Sequence, residues 1–389
     1  DKLLCLYIQQ SGLHRMLKII RAVTVSKSVV FFVPIVRDLQ NFGFEIVAIS
    51  SPGIELYKLN ELGVKPIAVT MKRRVSPFMD LKSLWRLVMV FRKERPYMVH
   101  SMTPKAGLLC MFAAWLVRVP RRVHTFTGLV WPTSKGLTRR ILMLTDWLTC
   151  ACATHIIPEG QGVMDDLRKV TYKPMRVLGY GNVRGVDMQK FSRRDEVMIL
   201  AKQLLKKNTF TFLFVGRLVK DKGINELVSV FETLHKHYQH VRLVLVGEKE
   251  DNLDPLYPET DNTIGNNLAI EAVGAKYGDE LLAYYAASDC FVFPSYREGF
   301  PNVVLEAGAM GLPSIVTDIN GSREIIEHGR NGWIIPPKDE TALYEAMENV
   351  LLDYKHTRYV AGNARQMIAN RYEKSFVQQC LYDFYDEIM

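Results

Sequence analysis

The chain has 389 residues, 48% of them apolar and 23% charged, with 25 Gly and 17 Pro. That length favours two domains over one, and the composition excludes a disordered, collagen-like or disulfide-framework protein. Charge is unevenly divided within the net +9: residues 1–190 carry 29 Lys and Arg against 12 Asp and Glu, whereas residues 191–389 carry 21 against 29. A basic half suited to lipid headgroups, nucleic acid or a polyanionic substrate therefore precedes an acidic half.

In chain order, residues 1–15 read as a partial helix with no assigned role. Residues 19–25 read as a strand, 26–28 as a polar turn, 29–40 as a helix and 44–50 as a second strand, which together make a βαβ unit. Short apolar or β-branched runs at 97–101, 122–125, 154–158 and 175–178 then alternate with helical periodicity at 81–92, 106–117 and 137–150. Leu81, Leu84, Leu87, Val88 and Phe91 are the core face of the first of these helices, with Lys82, Arg86, Arg92 and Lys93 outside. The series restarts with strands at 211–215 and 241–246 around a helix at 223–237, and continues with strands at 291–294, 314–317 and 332–335.

Two open α/β domains are expected, 1–190 and 191–374, with the boundary near 186–205 where the charge changes sign. Residues 375–389 form a C-terminal helix expected to cross back onto the first domain. Ligands in such sheets bind beyond the carboxyl ends of the strands, and two facing domains would make a cleft. The six cysteines, Cys5, Cys110, Cys150, Cys152, Cys290 and Cys380, show no CxxC spacing. That reads as a reducing, cytoplasmic compartment without a zinc site. No run approaches 18 uninterrupted apolar residues, so no membrane span is expected.

The strongest local signal is Ser295-Tyr296-Arg297-Glu298-Gly299-Phe300-Pro301-Asn302-Val303-Val304-Leu305-Glu306-Ala307. A strand ends just before it, Gly299 lets the chain turn, and a helix opens at Asn302, so backbone N–H groups at the helix start suit a diphosphate. Glu298 in the loop and Glu306 in the helix can address different parts of one elongated ligand. A capping role for Glu298 and a core-edge role for Glu306 are the alternatives. Gly216-Arg217-Leu218-Val219-Lys220-Asp221-Lys222-Gly223 also joins a strand to a helix and brings three cations to one mouth. It is neither a GxGxxG nor a P-loop, and a solvated basic turn is its alternative. His100 and His124 each end a strand, where a histidine can meet a sugar hydroxyl or serve only as a structural hydrogen-bonder. No histidine or carboxylate spacing suggests a metal.

In combination, the Glu298-to-Glu306 element, the Gly216–Gly223 element, Gly247-Glu248, Asn320-Gly321-Ser322-Arg323-Glu324 and Gly329-Arg330-Asn331-Gly332 resemble the retaining glycosyltransferases of family four. These have the GT-B fold of two Rossmann-like α/β/α domains facing an interdomain cleft, and the likeness runs from about Lys18 to the C-terminus. The resemblance implies a UDP-sugar donor, no required cofactor and no metal. It implies that Arg217 and Lys222 hold the leaving diphosphate, that Glu298 meets sugar hydroxyls and that Glu306 accepts hydrogen bonds from the ribose. It further implies that Gly216, Gly247, Gly299, Phe300, Asn302 and Val303 line the donor, that Val273 lies near the base and that His124 contacts the transferred sugar. Ser26, Lys27 and Ser28 occupy a first loop where many members have a glycine pair, and Lys27 replaces close backbone approach with charge. The resemblance also implies front-face transfer through an oxocarbenium-like transition state, with electrostatic stabilisation by Arg217, Lys222 and helix N–H groups.

The stretch from His100 to Gly107 is similar to that of transferases acting on bacterial polysaccharides and lipid-linked oligosaccharides. It implies a polyprenyl-diphosphate-linked glycan acceptor and attachment to the inner face of the cytoplasmic membrane. An anionic membrane surface would then meet Lys72, Arg73, Arg74, Lys82, Arg86, Arg92, Lys93, Arg95 and Lys105 with Phe78, Trp85 and Phe91, while Trp131, Arg139, Arg140 and Trp147 are further contacts. Nucleic acid is not an expected partner. The alternatives are a soluble acceptor, a UDP-sugar epimerase of the same fold and a non-catalytic basic membrane- or nucleic-acid-binding protein.

Overall fold

The computed structural model describes residues 17–72, 76–250 and 254–389. Residues 1–15, Cys5, Arg73 and Arg74 lie outside the described residues. The chain divides into two compact units, one running to Arg184 and including Val377–Met389, the other Gly185–Phe376.

The first unit is a six-stranded sheet of β1 (Leu17–Ala22), β2 (Phe44–Ser50), β3 (Lys65–Ala68), β4 (Met98–Met102), β5 (Arg121–Phe126) and β6 (His155–Pro158). All neighbours pair parallel in the order β3-β2-β1-β4-β5-β6. Alternate residues of the apolar strands feed two cores, one on each face of the sheet. Ile20, Val47 and Val99 pack with helices Pro77–Glu94, Pro104–Leu116 and Gly136–Cys152 on one side. Ile19, Ile46 and Met98 pack with Phe384 and Tyr385 of the C-terminal helix Lys374–Ile388 on the other.

The second unit repeats the plan with β7 (Phe210–Val215), β8 (Val241–Val246), β9 (Ile270–Ala272), β10 (Cys290–Phe293), β11 (Ser314–Thr317) and β12 (Gly332–Ile335), ordered β12-β11-β10-β7-β8-β9 and again parallel. Both sheets have the doubly wound Rossmann order, in which the first and fourth strands flank the reversal point. Those pairs are β1 with β4 and β7 with β10. The ends of the second unit are tied together, since Val186 N–H donates to Tyr372 O (2.8 Å) and Lys374 N–H donates to Val186 O (3.0 Å).

Three sequence-based expectations change. Residues 29–40 are not one helix but two 3₁₀ turns, Ser26–Phe31 and Val33–Ile35, followed by the short α-helix Val36–Asn41. Pro34 removes a backbone donor in mid-run, and β-branched Val29, Val30 and Val33 resist helix continuation. Residues 175–178 are not a strand: they follow Pro174 along the edge strand β6 and give it one backbone bond, Arg176 N–H to Ile156 O at 3.2 Å. Leu81, read as core, is 67% exposed, whereas Leu87 and Phe91 are buried as expected.

A charged cluster lies between the first sheet and the C-terminal helix. Arg21 on β1 is 2% exposed and finds no carboxylate among the described residues. Its guanidinium donates to Tyr385 Oη and to His100 Nδ1 (2.9 Å), and it lies over the Phe32 ring. An arginine only donates, so Nδ1 is the acceptor and His100 Nε2–H donates to Thr125 Oγ1 (2.7 Å). Burial, then the Arg21 charge, holds His100 well below its ordinary pKa. Tyr385→Phe should lower stability by about 1–3 kcal/mol in urea unfolding, because two buried polar groups lose a partner. An unchanged unfolding midpoint would show that the cluster does not anchor the helix.

Candidate functional site

In the second unit the site elements converge at the carboxyl ends of β7, β8 and β10. Gly216 and Gly247 follow β7 and β8 and lie side by side, and a Cβ on Gly247 would sit 1.8 Å from the Gly216 carbonyl oxygen. The Gly216–Gly223 loop then closes on the end of β10. Gly223 has φ +71°, and a Cβ there would lie 2.2 Å from Pro294 O. Only glycine allows that approach.

The contact is reinforced around Asp221. Its carbonyl accepts Tyr296 N–H at 2.9 Å, its own N–H donates to Asp254 Oδ2 at 2.8 Å, and its carboxylate faces Arg297 at 3.5 Å. Tyr296 Oη donates to Glu226, and the Lys338 ammonium lies 4.4 Å from the Tyr296 ring centroid.

This docking brings Lys222 and Glu298 together. Lys222 Nζ pairs with Glu298 Oε1, both side chains are largely covered, and Ser295 Oγ donates to the same carboxylate oxygen at 2.7 Å. The ammonium is also 5.4 Å from the Phe293 ring centroid. A covered cation fixed by a carboxylate, a hydroxyl and a ring is held in place rather than solvated. Arg217, expected beside it, instead faces Glu250 at 2.7 Å and is half exposed.

Helix Asn302–Ala309 opens behind this pair with Pro301 as its N-cap. Phe300 is buried against Tyr372, with ring centroids 5.5 Å apart, and the Gly299 carbonyl lies against Gly321. Asn302 and Val303 are half-buried at the helix start. Glu306 sits one turn further on, where its Oε2 accepts from the fully buried Tyr285 hydroxyl at 3.4 Å. Burial, with the Glu306 charge second, pushes the Tyr285 phenol well above its usual range. Val273 follows β9, its N–H donating to Leu245 O at 3.0 Å. Ser295, Tyr296 and Asp221 lie inside the two motifs, but the sequence assigned them no role of their own. Their contacts depend on how the Gly216–Gly223 loop meets the end of β10.

The first unit places its expected residues at its own strand ends. His124 on β5 is fully buried: Nδ1 is 2.8 Å from Ser101 Oγ, the ring packs edge-on to Phe126, and Nε2 has no hydrogen-bond partner among the described residues. Gly107 makes room for it, since a Cβ there would lie 2.3 Å from the imidazole. Ser26 is engaged locally, donating to Glu55 Oε2 (2.7 Å) and accepting Leu56 N–H (2.9 Å), while Lys27 is exposed and Ser28 half-buried. Thr103, between β4 and helix Pro104–Leu116, has φ +72° and ψ 143°, a strained geometry for a β-branched residue. Thr24 supports it, through a backbone bond to Thr103 Oγ1 (3.1 Å) and paired hydroxyls 2.8 Å apart.

Burial pushes the His124 pKa from 6.5 down to about 3. The unfolded chain therefore binds this proton first, and the His124 contribution to stability is lost as pH falls below about 6.5. Relative to His124→Gln, wild-type stability should decline by about 1.4 kcal/mol per pH unit between pH 6 and pH 4. Parallel pH profiles for the two proteins would contradict a buried neutral imidazole.

Among the described residues no cluster of three His, Cys, Asp or Glu could hold a metal ion, and no helix is long and apolar enough to cross a membrane. Residues 198–367 match the family model for glycosyl transferases group 1, and residues 29–181 match that of the glycosyl transferase 4-like domain. The capsular polysaccharide biosynthesis glycosyltransferase CapM of Staphylococcus aureus is 31% identical over 96% of this chain and 97% of its own. The UDP-Gal:alpha-D-GlcNAc-diphosphoundecaprenol alpha-1,3-galactosyltransferase of Escherichia coli is 30% identical over 77% of this chain and 78% of its own. Among solved structures, Anabaena Alr3699/HepE in complex with UDP-glucose matches with a TM-score of 0.74 at 18% identity, covering 95% of this chain and 99% of that one. Two Rossmann-type units of matching strand order, family models across both and near full-length similarity to CapM lead to one conclusion: the chain belongs to the group 1 glycosyltransferases, enzymes of the GT-B fold related to family four.

Proposed function

We propose that this glycosyltransferase moves a sugar, with retention, from a UDP-sugar to a polyprenyl-diphosphate-linked glycan in bacterial surface-glycan synthesis. The observation that carries the donor reading is the covered Lys222–Glu298 pair beside the start of helix Asn302–Ala309. It offers a fixed cation and backbone donors to a diphosphate, and a carboxylate to sugar hydroxyls. UDP is favoured because the Anabaena relative binds UDP-glucose and the Escherichia coli relative is named for UDP-Gal. The name of the latter also supports a diphosphoundecaprenol-linked acceptor.

In this reading Lys222 and Arg217 stabilise the departing UDP, with Arg217 exchanging Glu250 for phosphate. Glu306 meets the ribose, Val273 the base, and Gly216, Gly247, Gly299, Phe300, Asn302 and Val303 shape the donor's surroundings. His124, Ser26, Lys27 and Ser28 are the first unit's candidates for the sugar and acceptor. The bond from anomeric carbon to UDP breaks, the acceptor oxygen forms its bond on the same face, and its proton passes to a phosphate oxygen of the leaving UDP. Preorganised positive charge at the phosphate is the protein's main contribution.

The test is turnover of UDP-, GDP- and other nucleotide sugars with and without a polyprenyl-diphosphate-linked sugar. Saturable use of one UDP-sugar, dependent on the lipid-linked acceptor, is expected. Preference for a GDP-sugar would overturn the donor assignment, equal use of a free sugar would overturn the acceptor, and donor epimerisation without acceptor would favour an epimerase.

A further inference from the structure

We propose that Tyr296 is a positioning residue for sugar transfer, clamped by Glu226 and Lys338 so that the loop from Ser295 to Glu298 presents its carboxylate in one geometry. The proposal rests on the donor reading above, in which Glu298 meets the hydroxyls of the transferred sugar.

The loop leaves the end of β10 and is tied down along its length. Thr317 Oγ1, at the end of β11, donates to Ser295 O. Tyr296 N–H donates to Asp221 O, and Arg297 faces the Asp221 carboxylate. Tyr296 also reaches two elements outside these loops. Its hydroxyl donates to Glu226, on helix Ile224–His237, and its ring meets the ammonium of Lys338, which precedes the Asp339 N-cap of helix Glu340–Leu352. Ser295 and Glu298 flank Tyr296 in the chain, and the 2.7 Å bond from Ser295 Oγ to Glu298 Oε1 closes a short ring that contains it. A shift of Tyr296 therefore moves Glu298 with it.

Both contacts of Tyr296 are poor choices for stability alone. Glu226 is half-buried, its Oε1 accepts from Tyr296 Oη, and its covered Oε2 has no hydrogen-bond partner among the described residues. Desolvation of that carboxylate is offset only in part, and a phenylalanine facing an apolar residue would fill the same space without it. Lys338 has φ +63°, a left-handed backbone that strains a lysine and suits a glycine. The residue is exposed, and its ammonium lies 4.4 Å from the Tyr296 ring centroid.

An unfavourable carboxylate and a strained lysine that converge on one side chain point to placement of that side chain as what they serve. Placement matters at Glu298 because a displacement of about 1 Å at a reacting centre can cost about a hundredfold in rate. Lys222 is held separately, through Gly223 against Pro294 and over the Phe293 ring. Disturbing Tyr296 should therefore affect the sugar step more than the hold on the diphosphate.

The test is steady-state turnover of UDP-glucose, UDP-galactose, UDP-GlcNAc and UDP-GalNAc, continued with the donor that the wild type uses best, together with inhibition by UDP. Tyr296→Phe and Glu226→Leu should each lower kcat by about tenfold or more, with the UDP inhibition constant within about twofold of wild type. Glu226→Gln keeps an acceptor for the hydroxyl and should stay within about threefold of wild-type kcat. Lys338→Gly should keep or raise the unfolding midpoint in urea and still lose about threefold or more in kcat, a combination that a purely structural residue does not give. Adding Tyr296→Phe to Glu298→Gln should cost no further activity, because the tyrosine acts through that carboxylate. Wild-type kcat in Tyr296→Phe, equal losses in kcat and UDP affinity, or additive losses in the double variant would overturn the proposal alone. A wild type that uses no UDP-sugar would overturn the donor reading and this proposal with it.

Discussion

Lys222→Ala is expected to lower kcat/KM for the nucleotide sugar by about a hundred- to a thousandfold, the usual loss when one preorganised charge-stabilising donor is removed. The ammonium is pinned by Glu298 and lies over Phe293, so in the proposed reaction it would need no rearrangement as negative charge grows on the departing diphosphate. The substitution also leaves Glu298, which is largely covered, with Ser295 as its remaining hydroxyl donor. Loss of that pairing can by itself destabilise the fold by about 3–5 kcal/mol. Lys222→Met combined with Glu298→Gln removes both charges and separates the two effects. The double variant should recover the unfolding midpoint but not the turnover. Recovery of turnover along with stability would mean that Lys222 serves the fold alone.

Gly223→Ala should have the second large effect. A left-handed backbone costs an alanine about 1–2 kcal/mol. The added Cβ would in addition lie 2.2 Å from the Pro294 carbonyl oxygen, which cannot rotate away as a flexible side chain would. The loop and the β10 end must then separate, and with them Lys222 and Glu298. We expect a loss of about 3 kcal/mol or more in stability and a fall in donor turnover beyond that caused by lower folded population. Gly311→Ala is the control: φ is +79° there and nothing lies within 4 Å of the added Cβ, so only the backbone cost applies. Equal losses at the two positions in paired urea titrations would show that the approach to Pro294 is not what requires glycine.

The parallel strands were readable because strands buried on both faces are continuous apolar runs, and residues 44–50, 241–246, 314–317 and 332–335 coincide with β2, β8, β11 and β12. β3 and β9 escaped notice: Lys65–Ala68 and Ile270–Ala272 are short edge strands whose sequences, KPIA and IEA, carry little apolar signal. Leu81 shows the limit of periodicity, because a helix with apolar residues on two faces has one core face and one exposed face, and the pattern alone does not rank them. Arg21 was invisible as a buried charge, since its partners His100 and Tyr385 lie 79 and 364 positions away.

At the candidate site the motifs were legible as loops between strands and helices, and Lys222 beside Glu298 follows from two loops at adjacent strand ends. Side-chain partners were less so. Arg217 takes Glu250, 33 positions along the chain, a pairing that depends on where the β8 loop turns. The burial of His124 depends on a glycine in a neighbouring helix, Gly107, leaving space for an imidazole.

Calorimetric titration of UDP into the wild type, Lys222→Ala and Glu306→Gln tests most directly whether the strand ends of the second unit hold the donor nucleotide. Saturable one-to-one binding by the wild type, weakened at least tenfold by each substitution under conditions where both variants are fully folded, is the expected result. Absence of UDP binding to the wild type, or the same affinity in all three proteins, would contradict the placement of the donor at Lys222 and Glu306.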